Sequence, residues 1–327
     1  MPKASIIVPA FSAAHTISDT LLSLQNQRFY DFEVLVINDG STDRTCENVA
    51  PFLADPRFQL LEQPNRGLAG ARNTGIAAAN GAYVGFCDAD DLWHVDKLDR
   101  HIRHLDNAPD VGVSYAGSRL IDGRGEPLGL CQSPRLRNIT AAHIFKRNPI
   151  GNGSSAVIRQ EVFTDIERAS HANQRRLWVF DETFRQSEDI ECWLRIALTS
   201  DWAFEGVPGA LTDYRVLRGG LSAQTDRQLA SWERMVTKLR PINPGFFARH
   251  EATARAYQLR YLARRAVSAR AGQAANDYLR RSFQNTWRPL FKEPIKTVTT
   301  VCAVTALAGF GRDPMRGLTR IHSKWEG

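Results

Sequence analysis

Four short runs rich in β-branched and aromatic residues, Ser5–Pro9, Glu33–Ile37, Phe58–Leu61 and Ala82–Cys87, alternate with stretches patterned as helices, the first through Leu21, Leu22 and Leu24. A chain that alternates strand and helix at this spacing is expected to form a mostly parallel sheet covered by helices on both faces. Such sheets bind ligands at the carboxyl ends of their strands. Acids fall at that edge twice: Asp39 follows the second run, and Asp88-Ala89-Asp90-Asp91 directly follows the fourth. Three carboxylates within four residues repel one another unless a cation or a donor-rich ligand compensates, and oxygen-only ligands suit Mg²⁺ or Mn²⁺. An acidic turn capping the helix that starts near Trp93 produces the same pattern, so the cluster by itself leaves both readings open.

The surrounding chain narrows the choice. The first strand ends in Pro9-Ala10-Phe11-Ser12, with none of the glycines of a dinucleotide-binding turn, and Gly67-Leu68-Ala69-Gly70 lacks the lysine of a phosphate-binding loop. Further strands are expected at Val111–Tyr115 and Ala156–Ile158, with a hairpin turn over Ile121–Glu126 and a loop over the polar, aperiodic residues 164–178. Glu188-Asp189 opens a helix carrying Cys192–Ala197. An acid pair there either complements the helix dipole or serves a cleft. The five cysteines are scattered without a C-x-x-C pair, which argues against a zinc knuckle or a disulfide framework.

The net charge of +7 conceals an asymmetry. Residues 1–229 carry 24 Lys/Arg against 29 Asp/Glu, whereas residues 230–327 carry 18 against 6. From about residue 228 the pattern is helical, with a hairpin through Tyr257, Leu259, Leu262 and Ala266 before Gly272, and Tyr278-Leu279 after it. The apolar run Val298–Phe310 is flanked by Lys292, Lys296, Arg312, Arg316 and Arg320, too short to span a bilayer but suited to an interface. The chain is therefore read as a catalytic domain over 1–227 and a basic helical extension over 228–327. With no leader or spanning run, it is expected in the cytoplasm, peripheral on the inner face of an anionic membrane. The basic residues do not interleave with aromatics as in a nucleic-acid module, and nucleic acid is not an expected partner.

Five ordered motifs resemble one family. Ser5-Ile6-Ile7-Val8-Pro9-Ala10-Phe11, Val36 through Asp43, Asn65-Arg66-Gly67 with Ala71-Arg72-Asn73-Thr74-Gly75, Asp88-Ala89-Asp90-Asp91 and Ser187-Glu188-Asp189 are similar to the family 2 glycosyltransferases of the GT-A fold. The resemblance covers roughly residues 3–225. It implies a GT-A-like α/β domain that moves a sugar with inversion from a nucleotide-diphosphate donor, a UDP-sugar favoured, to a hydroxyl of a glycan or lipid-linked acceptor in surface polysaccharide synthesis. It further implies that Pro9, Phe11, Asp39 and Arg72 hold the nucleotide, that Asp88 faces the ribose or sugar, and that Asp90 binds Mn²⁺ or Mg²⁺ at the diphosphate. Asp189 is implied as general base, with Glu188 on the acceptor side; Trp193 is a candidate for that side too, although its spacing reads equally as cleft wall or core. One position departs from the family: where many members carry a diphosphate-binding histidine, this chain reads Tyr214-Arg215-Val216-Leu217-Arg218, and Arg218 is the candidate replacement for the charge. Two other readings were weighed. A sugar nucleotidyltransferase lacks its glycine-rich, cationic triphosphate loop here, and a sugar-nucleotide-binding module without catalysis is disfavoured by the presence of both Asp90 and Asp189.

Overall fold

The structure, a computed structural model, describes residues 1–170, 179–216 and 225–310. These divide into two compact units: 1–140 with 149–216, and 141–148 with 225–310, so that an internal helix belongs to the second unit.

In the first unit, β1 (Ala4–Ala10), β2 (Phe32–Asn38), β3 (Phe58–Glu62) and β4 (Tyr83–Phe86) pair in parallel in the order β3-β2-β1-β4. Every residue of β1 and β2 is buried, which is why these runs read as continuous apolar stretches rather than alternating ones. The intervening helices are α1 (Ile17–Gln25), α2 (Thr45–Val49) and α3 (Gly67–Ala78). α1 buries Ile17, Leu21 and Leu24 in the cluster that holds Ile6 and Val8, each such side chain gaining roughly 1.5–3 kcal/mol. α3 packs on the other face, where Gly75 lies directly against the Ile7 side chain.

Past β4 the sheet becomes mixed. β5 (Leu92–Trp93), β6 (Val111–Ile121), β7 (Pro127–Gln132), β8 (Ala156–Arg159) and β9 (Ala203–Arg215) complete the order β3-β2-β1-β4-β8-β6-β9-β5, with β7 beside β6. β8 runs antiparallel to both β4 and β6, and β9 runs parallel to β6. Strand direction depends on which neighbour a strand pairs with, and apolar periodicity carries no record of that choice. The hairpin turn expected after Ile121 is present between β6 and β7.

α4 (Lys97–Asn107) follows β5, α5 (Ala141–Lys146) belongs to the second unit, and α6 (Gln160–Ser170) and α7 (Glu188–Thr199) return to the first. α6 corrects the loop expected over 164–178: the helix runs to Ser170, and residues 171–178 lie outside the described residues. Among its described side chains Val162, Phe163 and Ile166 are buried, a stripe too short to show through the polar composition around it.

The second unit is helical: α8 (Thr225–Leu239), α9 (Pro244–Ser268), α10 (Gly272–Asn285), α11 (Arg288–Lys292) and α12 (Pro294–Phe310). The side chain of Asn243 caps α9 by accepting from the Phe246 N–H at 3.0 Å. The expected hairpin forms, with Leu259, Leu262 and Ala266 of α9 packed with Tyr278 and Leu279 of α10 and with Val304 and Leu307 of α12. Among the described residues no helix is long and apolar enough to cross a membrane.

Candidate active site

β1, β2 and β4 end at one edge of the sheet. The register sets Ala10 beside Asn38 and Ile7 beside Phe86, so Phe11, Asp39 and Asp88 leave adjacent strands on the same side. Pro9 is buried within β1, while Phe11 is 56% exposed just beyond it.

The three aspartates after β4 have different tasks. Asp91 is wholly buried; its two oxygens accept from the Ser154 hydroxyl at 2.6 Å and the Arg215 N–H at 2.9 Å. Burial, then the charges of Asp90 and Asp88, hold its carboxyl well above the ordinary range. It therefore locks the turn and is not free as a ligand. The Asp88 N–H donates to Ser154 Oγ at 2.9 Å, and Arg215 Nε donates to the Asp90 carbonyl at 2.8 Å, so the backbone of the turn is held from both sides. Asp88 and Asp90 keep part of their side chains in the open. Burial and the adjacent Asp88 push the Asp90 carboxyl up to about 6.

Arg72, on α3, ties this turn to the second acid pair. Its Nη2 meets Asp88 Oδ1 at 2.9 Å and its Nη1 meets Glu188 Oε1 at 2.8 Å, although Asp88 and Glu188 are far apart in sequence. The guanidinium lies 5.7 Å from the Phe86 ring and 5.3 Å from the Phe180 ring. Burial alone would pull its pKa down, but Asp88 and Glu188 more than offset that and it lies above the ordinary value. Gly153 passes so close that a Cβ there would overlap Arg72 Nη2 and crowd Asp88. The next residue of α3, Asn73, donates to the Phe180 carbonyl at 2.8 Å and accepts from the Phe180 N–H at 2.9 Å, fixing the segment that leads to α7. Ser187, at φ +61°, then turns the chain into the helix. Glu188 is pushed up to about 7, mainly by burial. Asp189 accepts from the Ile190 N–H at 2.8 Å, and its carboxyl is also raised, first by burial, with Arg72 opposing and Asp88 adding to the rise.

Several of the expected residues are engaged by the fold itself. Arg72 divides its guanidinium between two carboxylates and so braces the two acid motifs. Glu188 anchors that brace. Trp193, at 1% exposure and edge-on to Phe180, is a core residue and lines no acceptor surface. Asp39 accepts from Gln63 Nε2 at 2.6 Å and from the N–H groups of Arg66 and Gly67 at 2.8 Å, capping the start of α3. About one of the four acceptor directions of a carboxylate is left for a ligand. Gly67 sits at φ +77°, a conformation that favours glycine. Arg218 lies outside the described residues. Sequence reasoning missed Gly153, Ser154 and Arg215 as parts of the site; the small-residue run Gly151–Ser155 ahead of β8 was the visible trace of the first two.

A divalent cation fits this turn on the chemistry of its donors. Asp88 and Asp90 are two partly open carboxylates with one of them held costly to ionise, and a cation removes that cost. Among the described residues no three acids, histidines or cysteines converge as a metal cage.

A mixed sheet with helices on both faces and acids at the carboxyl edge defines a GT-A-type α/β domain. Residues 5–167 match Glycosyl transferase family 2, and the chain belongs to that family. It is 41% identical over 99 residues to the UDP-Glc:alpha-D-GlcNAc-diphosphoundecaprenol beta-1,3-glucosyltransferase WfgD of Escherichia coli, over 30% of this chain and 39% of that one. It is 32% identical over 126 residues to the chondroitin synthase of Pasteurella multocida, over 38% of this chain and 13% of that one. Among solved structures, the mannosyltransferase PcManGT from Pyrobaculum calidifontis, in complex with GDP-Man and Mn²⁺, shares the fold with a TM-score of 0.57 at 21% identity, over 99% of this chain and 88% of that one. The chain spans about a third of the length of several curated relatives that it matches.

Proposed function

We propose that this chain transfers a sugar, with inversion, from a nucleotide-diphosphate donor to a hydroxyl of a glycan or lipid-linked acceptor. The observation that carries the reading is the Arg72 brace: one buried guanidinium holds Asp88 of the first acid motif and Glu188, the neighbour of Asp189, in one cluster. Asp189 acts as the general base. Burial makes its carboxylate a stronger base than an exposed aspartate, and it takes the proton of the acceptor hydroxyl as that oxygen attacks the anomeric carbon. The bond from that carbon to the diphosphate oxygen breaks on the opposite face, so one displacement inverts the configuration. Asp90, with Asp88, would hold a divalent cation, which when bound would neutralise the charge left on the departing diphosphate. The Phe11 backbone and the remaining acceptor direction of Asp39 face the nucleotide, and the positive charge of Arg218 stands in the sequence next to the place where many members carry the diphosphate-binding histidine. A uridine diphosphate sugar, the donor class of the Escherichia coli relative, is favoured, in line with a place in surface polysaccharide synthesis.

A donor screen tests this reading. UDP-, GDP- and dTDP-sugars are incubated with Mn²⁺, and release of nucleoside diphosphate is followed for the wild type, Asp90→Ala and Asp189→Asn. Release from one donor, lost with chelator and in Asp90→Ala, supports transfer. A donor that binds and stabilises the protein without turnover in the presence of glycan and lipid-linked acceptors points instead to a binding module. No binding by any donor overturns the assignment of Asp39 and Asp90.

A further inference from the structure

The second unit carries an apolar surface that its own packing leaves bare. Between Lys296 and Phe310, α12 contains no charged residue. One stripe, Thr297, Thr300, Val304 and Leu307, is buried in the unit. The opposite stripe, Ile295, Val298, Cys302 and Thr305, repeats at the same spacing and is exposed. The turn before it adds two aromatics. Trp287, Phe291, Ile295 and Val298 are 57%, 77%, 68% and 50% exposed, so four large apolar side chains stand out within twelve residues. Scattered apolar residues on a surface are ordinary, but a continuous run marks an interaction site. Beyond Lys296 the helix offers no charge to solvent on either side, and the fold covers one side only.

Charge indicates what covers the other side. The exposed cations Arg288 and Lys292 lie among these apolar residues, in a stretch of chain with 18 Lys/Arg against 6 Asp/Glu. Tryptophan and aliphatic side chains interspersed with cations match the headgroup layer of an anionic bilayer, where rings enter the acyl boundary and cations meet phosphates. The helix has 17 residues, short for a hydrocarbon core of about 30 Å, so it suits lying in the plane of the interface rather than crossing it.

We infer that the exposed face running from Trp287 through Phe291 and Ile295 to Val298 is a docking surface for an anionic lipid bilayer. The inference does not depend on the transfer chemistry. It also relocates the expected interface: Thr300, Ala303, Val304 and Leu307 of the Val298–Phe310 run are buried, and the bare face begins earlier, at Trp287.

Flotation of the full-length protein tests it, on phosphatidylcholine vesicles with and without phosphatidylglycerol, at low and high salt. The protein is expected to float with the phosphatidylglycerol vesicles at low salt and to stay behind with phosphatidylcholine alone or at high salt. Phe291→Ser combined with Ile295→Ser changes only exposed positions, so circular dichroism and melting should match the wild type while the partition coefficient falls by about tenfold or more. Arg288→Gln combined with Lys292→Gln is expected to weaken partitioning by about tenfold to thirtyfold, several-fold for each cation near the surface. A protein that stays behind with both vesicle types overturns the inference. So does flotation indifferent to both pairs of substitutions, or a dimer in sedimentation that the Phe291/Ile295 pair dissolves, which would assign the face to a second copy. None of these readouts uses a donor or turnover, so their failure is distinct from failure of the transferase reading.

Discussion

Two buried arginines in the first unit solve the same electrostatic problem differently. Arg195 pairs with Glu191 one turn away on α7, with Nε to Oε1 at 2.9 Å and Nη2 to Oε2 at 3.2 Å, and also donates to the Val179 carbonyl. One cation meets one anion through a two-pronged bond. Arg72 instead divides its prongs between Asp88 and Glu188, lies in the field of Asp189, and leaves that cluster with more negative charge than it can neutralise. Burying an ion pair already costs desolvation, and burying surplus carboxylates costs more. The contrast separates a structural pair from a candidate site: the Arg195 arrangement balances one charge with one, whereas the Arg72 arrangement gathers surplus carboxylates, which under the proposed function a cation and a proton-donating substrate would offset. Raised carboxyls at Asp90, Glu188 and Asp189 are the electrostatic trace of that incompleteness.

The largest expected effect lies on the incomplete side. Asp189→Asn keeps the shape but cannot accept a proton, and its turnover should drop by about 10²–10⁴-fold with donor binding preserved, measured as nucleoside diphosphate release and by titration calorimetry. In the wild type, kcat/KM should fall as pH drops through the raised Asp189 pKa, since the base is lost on protonation there. An unchanged rate in Asp189→Asn would falsify the base assignment.

Next come the two arginines. Breaking a buried pair by removing one partner costs about 3–5 kcal/mol, so Arg195→Met should lower unfolding stability by that amount while the surviving enzyme keeps its turnover per folded molecule. Arg72→Met strands two bound carboxylates and should lose both stability and turnover. Equal turnover per folded molecule in the two variants would erase the distinction.

A smaller effect concerns the cation. Mn²⁺ with a nucleoside diphosphate should raise the melting temperature of the wild type but not of Asp90→Ala, with a gain of about 2.7 kcal/mol at a hundredfold excess over Kd. The smallest test uses a third buried cation. Lys97 donates to the carbonyls of Ser154 and Ser155 and to Thr212 Oγ1, all neutral, and burial lowers its pKa to about 7. Between that value and the unfolded value of 10.5 the unfolded chain binds more protons, so stability should rise with pH across the window, by at most about 1.4 kcal/mol per unit. Denaturant titrations of Lys97→Met at pH 7 and 9 should show that rise removed.

Strand runs, the acids at their ends and the helical tail were legible in the chain because each is local: β-branched runs, acids at fixed offsets and helical periodicity need no partner to be seen. The motif Ala71-Arg72-Asn73 was legible as a motif but not as a brace, since the role of Arg72 depends on carboxylates 16 and 116 residues away. Trp193 stayed ambiguous between cleft wall and core for a related reason. An aromatic beside an acid pair reads the same whether it faces a cleft or, as here, meets Phe180 in the core.

By itself the sequence determined the strand and helix alternation, the placement of Asp39 and Asp88–Asp91 at one sheet edge, the helix opening at Glu188 and the basic charge of the extension. Only the tertiary structure decided that Asp91 is a lock while Asp90 is open, that Ser154 and Arg215 hold the turn, and that one face of α12 is core and the other bare. The physical reason is that hydropathy and periodicity act within a few residues, whereas burial, charge compensation and strand direction are set by neighbours that only folding brings together.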